Sequence, residues 1–202
     1  MTKPTGKGAA RKSPPRPSSP TRTTASSPSS APHQDGKWAE WFVRDAGERR
    51  YWLVKSEPSV FSFDDLMRAK DRTTAWDGIR NSAARNFLRD GMRVGDLAFF
   101  YHSMAEPQAI VGICEVAREG YPDPTAFDRA HRGYDETSSR ETPTWYQVDV
   151  RGVEALPRAV TLPELKADAR LASMALLRIG RLSVTPVRVT EWEIILEMAS
   201  RR

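Results

Sequence analysis

Between Thr2 and Lys37 the chain has no Val, Ile, Leu, Phe, Trp, Tyr, Met or Cys, and the apolar pattern starts abruptly after it. Trp38, Trp41, Phe42 and Val43 form an apolar knot, predicted as a short helix packing back on the domain. From Tyr51 the period is two: Tyr51, Leu53 and Lys55 alternate with Trp52, Val54 and Ser56, the signature of a strand. Pro58 stops the ladder because it has no N–H to give. Ser62 with Asp65 is a capping signal, and Phe61 with Leu66 a hydrophobic staple, for a helix to about Lys70. A short strand to Trp76 comes next. A helix over 82–89 is then capped by Asn81 or Ser82 and closed by Gly91.

Residues 96–102 and 109–118 read as paired strands joined by a hairpin-length loop, and 145–153 as a further strand with clean alternation. Gly120–Thr144 is long, polar and dotted with Tyr121, Phe127 and Tyr134, too long for an idle connection, so a lid or a partly ordered loop is expected there. Short apolar stretches at 174–177 and 182–187 and a helix over 162–169 precede the C-terminus. Thr190 with Glu193 reads as the capping box of a terminal helix with Trp192, Ile195, Leu196 and Ala199 on one face. Several strands with helices between them predict an α+β, barrel-like domain. The division is a disordered tail over 1–36, a linker or packing segment over 37–50 and the domain over 51–200.

Charge sharpens that division. Of the 202 residues, 31 are Lys or Arg and 26 Asp or Glu. Residues 1–34 contain six basic residues and no acidic one, leaving 25 against 26, a net of −1, in the rest. The tail has 19 Ser, Thr or Pro among its first 34 residues and cannot bury enough surface to offset chain entropy. It either tracks phosphate backbones or solubilises the chain. A near-neutral domain lacks the overall charge that gripping long duplex DNA usually needs. No apolar run reaches membrane-spanning length and no secretory h-region is present, so an intracellular protein is expected, cytoplasmic in general and nucleoid-associated or nuclear according to its host.

Chemistry is sparse. His33, His102 and His131 are far apart and Cys114 is single, so no metal site or cofactor is expected. No phosphate-binding glycine loop or nucleophile elbow appears. What remains is a set of polar groups beside large aromatics at predicted strand ends. The residues alone leave two readings of Trp52 and Trp76: core, or plates for a flat polar ligand such as a base.

The segments YWLVKSEP (51–58), AWDGIRNSAARNFL (75–88), GDLAFFYHS (95–103), VGICEV (111–116), WYQVDV (145–150) and RLSVTPV (181–187) resemble, in order, the successive blocks of the EVE domain. This is a family of the PUA-like group, related to YTH and ASCH domains, whose members include the thymocyte nuclear proteins. The resemblance implies a PUA-like mixed β-barrel and non-enzymatic binding of a modified base in DNA or RNA through an aromatic pocket. Matched residue by residue, it implies Trp76 as the stacking plate, with Lys55 and Ser56 bonding to the base. Asp77, Asn81 and Asn86 match the stretch after that tryptophan, and Tyr101, His102 and Ser103 the F-Y-H-S block. Tyr134 and Trp145 are possible second walls, although Trp145, which opens a strand, fits a core position better. Thr137 and Thr144 stand where the family often has cations, which weakens any phosphate contact there. Two rivals use the same pocket: a small-molecule or nucleotide-metabolite sensor, and a base-acting enzyme with His102 or Asp77 as acid–base group.

Overall fold

In the computed structural model, which describes residues 36–201, two buried clusters occupy the two faces of one six-stranded sheet. The strands are β1 (Tyr51–Ser56), β2 (Thr73–Trp76), β3 (Leu97–His102), β4 (Ala109–Pro122), β5 (Tyr146–Thr161) and β6 (Val184–Val187). Their order is β2-β5-β4-β3-β1-β6, with β1 and β3 parallel and the other neighbours antiparallel. The tail assigned to residues 1–36 lies outside the described residues except for Gly36.

Successive residues of the central strands serve opposite clusters. Trp52, Val54, Ala98 and Phe100 enter one, and Leu53, Phe99 and Tyr101 the other. That is why LAFFY reads as an unbroken apolar run: a strand covered on both faces has no polar side to show. Helices α1 (Phe63–Arg68) and α2 (Ser82–Asn86), the latter continued by a π-helical turn over Phe87–Gly91, cover the first face. Helices α3 (Leu162–Ala167), α4 (Ala175–Arg178) and α5 (Val189–Ser200) cover the second. At Gly112 the ring of Phe63 lies so close that a Cβ would stand 2.3 Å from it, so α1 reaches the sheet only over a glycine.

The sheet curls but does not close. Trp76 on β2 and Phe100 on β3 meet edge to face with centroids 5.4 Å apart, although β5 and β4 lie between them in the ladder. Three strand spacings in a flat sheet would span about 14 Å. Four register shifts along the β4–β5 ladder supply the bending. Yet β2 and β6 remain the two edges, so the expected barrel is corrected to an open one, and the seam runs between β2 and the β1–β6 side.

The apolar knot does pack back. Trp38, Trp41 and Phe42 lie against the first cluster, with Phe42 stacked on Phe87 and Trp41 5.7 Å from Trp52. It is a 3-10 turn (Ala39–Trp41), and Val43 stands 66 % exposed outside it. Arg44 then clamps the buried carboxylate of Asp96 with both terminal nitrogens at 2.8 Å. The terminal helix starts earlier than Thr190. Its box is closed by Glu191, whose carboxylate accepts from the Arg188 N–H at 2.9 Å, because Glu191 is buried under the helix while Glu193 faces out.

Candidate functional site

The open seam is a cleft of about 770 Å³. One wall is the end of β2 and the turn after it, residues 74–80; the other is the end of β1, the residue after β3 and the loop 180–183. Both walls are held by hydrogen bonds, most of them between residues distant in sequence. On the β1 side, Ser56 Oγ donates to the Phe61 carbonyl at 2.6 Å, and the Ser56 carbonyl accepts from the Ser103 N–H at 2.8 Å and Ser103 Oγ at 3.1 Å. Lys55 Nζ donates to the Gly180 carbonyl at 3.0 Å, tying the far loop down, and burial lowers its pKa.

On the β2 side the anchor is Asp123, fully buried. It accepts from the Gly78 N–H (3.0 Å), Arg80 Nη1 (2.7 Å), the Thr125 N–H (2.8 Å) and Thr125 Oγ1 (2.6 Å). Burial acts to raise this carboxyl, but the bonds from Thr125 and Arg80 outweigh it and hold the pKa below the ordinary value. Arg80 in turn donates to the Gly133 carbonyl, which pins the loop of residues 128–144 beside the cleft. Asp77 reaches solvent at the mouth, and its carboxyl is pushed above the ordinary value by desolvation and then by the Asp123 charge.

Of the residues singled out in the sequence, the structure brings Lys55, Ser56, Trp76, Asp77, Tyr101 and Ser103 to the cleft. Four are elsewhere. Asn81 caps α2, its Oδ1 accepting from the Ala83 and Ala84 N–H groups at 2.9 and 3.1 Å. Asn86 is buried and accepts from Arg85 Nε and Nη2 at 3.0 and 2.9 Å. His102 accepts the Phe63 N–H on Nε2 at 3.1 Å, so it caps α1 as a neutral imidazole, with burial lowering its pKa. Tyr134 sits in the 128–144 loop under Arg129, outside the cleft lining. Trp145 is half-buried rather than core: it precedes β5, donates Nε1 to Asp135 at 2.6 Å and has the guanidinium carbons of Arg80 and Arg85 5.5 and 5.7 Å from its ring.

Trp76 itself is 7 % exposed and belongs to the first core cluster, so it does not offer the cleft an open ring face. Tyr101 is buried more deeply still. Its hydroxyl donates to Gln108 Oε1 at 2.8 Å, and burial pushes its pKa up to about 12. Gln108, Arg132 and Arg181 also line the cleft and were not singled out in the sequence, because they stand in loops with no period; Arg181 does open the RLSVTPV block. Among the described residues no group of His, Cys, Asp and Glu is placed to hold a metal, and no helix is long and apolar enough to cross a membrane. Cys114 is a buried core residue whose thiol burial pushes up to about 12.

Because the Ser56 hydroxyl is taken up by Phe61, Ser56→Ala is expected to cost about 0.5–1.5 kcal/mol of stability, the net worth of a neutral hydrogen bond. Urea unfolding measures this; a midpoint equal to that of the parent would show that the tie is not used.

Comparison with known proteins bears on the whole fold. A family model described as the EVE domain matches residues 50–198. Thymocyte nuclear protein 1 of mouse is 40 % identical over 165 residues, covering 73 % of each chain. The human protein of that name is 37 % identical over 168 residues, covering 75 % of this chain and 74 % of its own. Among solved structures, a hypothetical protein from Leishmania major is 44 % identical with a TM-score of 0.72, over 77 % of this chain and 97 % of that one. The human THYN1 protein in complex with 5-methylcytosine containing DNA is 37 % identical with a TM-score of 0.73, over 76 % of this chain and 99 % of that one. From a match spanning nearly all of the described domain, the chain belongs to the EVE domain family.

Proposed function

We propose that this chain binds a modified base of DNA or RNA in the seam cleft and performs no chemistry on it. The observation that carries the reading is the likeness, over 76 % of this chain and 99 % of the other, to a human protein solved with 5-methylcytosine containing DNA. The cleft is consistent with it. Its groups are acceptors and donors at strand ends (Asp77, Ser103, Gln108, Lys55) around the edges of Trp76 and Tyr101. The indole N–H of Trp76 has no partner among the described residues and is not among their buried unpaired atoms, which leaves it as a donor for a ligand. Asp77 is the natural acceptor for an exocyclic amine, the group by which a carboxylate recognises cytosine. For a base-acting enzyme His102 is unsuited, because its Nε2 is occupied by a helix N–H, which leaves Asp77 as the one acid–base candidate of that rival reading.

The test compares oligonucleotides that differ by one 5-methyl group on one cytosine. Burying one methyl contributes about 0.8 kcal/mol, roughly a fourfold preference. Equal affinity for cytosine and 5-methylcytosine would sink the reading for this base. A second reading, a sensor of a free nucleotide or other small molecule, is favoured by the near-neutral domain. It predicts tight binding of a free nucleoside with little dependence on salt.

Asp77 adds a pH prediction. Its folded-state pKa is raised, so it takes up a proton on acidification before an ordinary aspartate does. Binding through its carboxylate is therefore expected to hold above that raised value and to fall as pH drops through it. For stability the sign is opposite: a raised carboxyl favours the fold most at low pH, and that contribution is lost as pH rises through the folded value. Asp77→Asn should remove the acid limb of the binding curve. A curve of unchanged shape in that variant would exclude Asp77 from the contact.

A further inference from the structure

Met104 is the most exposed large apolar side chain of the described residues, at 76 %, and it stands on the rim of the cleft. It comes after the end of β3 and Ser103, in the turn that leads to β4, with φ at 54°. A non-glycine residue without a short polar side chain rarely adopts that left-handed conformation, and such outliers gather where a surrounding structure holds them for a purpose. Val60, 60 % exposed, lines the same cleft from the turn after β1. The β1 and β3 ends thus give the cleft an apolar lip. Exposed cations stand at the cleft too: Arg132 from the 128–144 loop, whose charge reaches Asp77, and Arg181 from the loop before β6, neither in salt-bridge contact with a carboxylate among the described residues.

A lip with apolar side chains beside exposed arginines is complementary to a nucleic-acid strand, whose phosphates seek cations and whose base steps accept apolar wedges. We infer that Met104 is a wedge that enters the base stack of a duplex at the gap left when the recognised base turns into the cleft. This rests on the reading of the cleft as a base-binding site and adds that the base is taken from a paired duplex rather than only from a single strand. Methionine suits the task because its unbranched thioether adapts to an irregular gap and is polarisable against the base faces. Arg132 and Arg181 would then bear the phosphates of the displaced nucleotide.

The test uses the full chain and three forms of one oligonucleotide carrying a single 5-methylcytosine: single strand, fully paired duplex, and duplex mismatched opposite the methylated base. Met104→Ala is expected to weaken binding of the paired duplex on the order of tenfold, since the variant no longer compensates for unstacking. Single-strand binding should change by less than about twofold, and the mismatched duplex, already open, should fall between. Met104→Leu should retain the parent's affinity. Met104→Gly, which fits the positive φ, should lose as much as Met104→Ala and so separates the side chain from backbone strain. A 2-aminopurine placed beside the methylated cytosine should brighten on binding of the parent and less with Met104→Ala. The inference is overturned if Met104→Ala weakens all three forms equally or none, or if the parent prefers the methylated base only in single strands. That last result would leave the cleft reading standing; a parent with no methyl preference on any form would remove both.

Discussion

Replacing Asp96 with alanine is expected to destabilise the domain by about 3–5 kcal/mol, the usual consequence of removing one partner from a buried charged pair. Few single changes in this protein should do more. The carboxylate is 1 % exposed and accepts five donors: both terminal nitrogens of Arg44 at 2.8 Å, the N–H groups of Arg50 and Arg93 at 3.0 Å, and Trp52 Nε1 at 2.9 Å. It therefore joins the Trp38–Arg50 segment, the start of β1, the fully buried indole of Trp52 and the turn that opens β3. Gly95, at φ +88°, gives that turn the left-handed step that brings the next residue's carboxylate inward. Without the Asp96 carboxylate the buried Trp52 N–H loses its acceptor, and the Arg44 guanidinium loses its counter-charge and keeps only the Glu48 and Gly91 carbonyls. For a domain of this size the loss corresponds to roughly 10–15 °C in melting temperature. Asp96→Asn should cost less, since it keeps the shape and one acceptor oxygen. A melting temperature within about 2 °C of the parent for Asp96→Ala would show that the Trp38–Arg50 segment is not coupled to the core in this way.

That coupling also marks where the sequence was legible. Signals that act within one turn were readable: Ser62 and Asp65 form the reciprocal box expected of them, and Tyr51–Ser56 is a strand with the expected bounds. Signals that depend on distant partners were not. Asp96 reads as the first residue of a strand over 96–102, with no sign of its role until Arg44, 52 positions away, is placed against it. The β4 and β5 strands run past their expected ends to Pro122 and Thr161 because register shifts reset the alternation, so no single period spans them. Thr190 and Glu193 have capping-box spacing, but burial of Glu191 chose a start two residues earlier. In the site, residues at strand ends were found because strands are readable, whereas Asn81, Asn86 and His102 share the same short segments yet serve caps and an arginine. Arg132, Arg181 and Met104 reach the cleft only through loop geometry.

Trp76 is where the two kinds of information meet, and magnitudes separate its possible roles. An exposed stacking plate contributes roughly 1–3 kcal/mol to binding and little to the fold. A core tryptophan cut to alanine costs about 3–5 kcal/mol of stability. At 7 % exposure, edge-on to Phe100 and within the first cluster, Trp76 is expected to behave as core, so Trp76→Ala should melt far below the parent. Loss of binding in that variant would then say nothing about the cleft. Trp76→Phe is the informative change: it keeps a ring against Phe100, removes the N–H and should lose less than half as much stability. If the indole N–H serves the ligand, Trp76→Phe should weaken binding by about 0.5–1.5 kcal/mol, roughly 2- to 13-fold, in a protein that remains folded. Thermal melts and titrations with the methylated oligonucleotide decide the matter. Parent-like melting of Trp76→Ala with abolished binding would restore the plate and refute the core assignment. Parent-like affinity of Trp76→Phe would confine Trp76 to the fold and leave recognition to Asp77 and the strand ends opposite it.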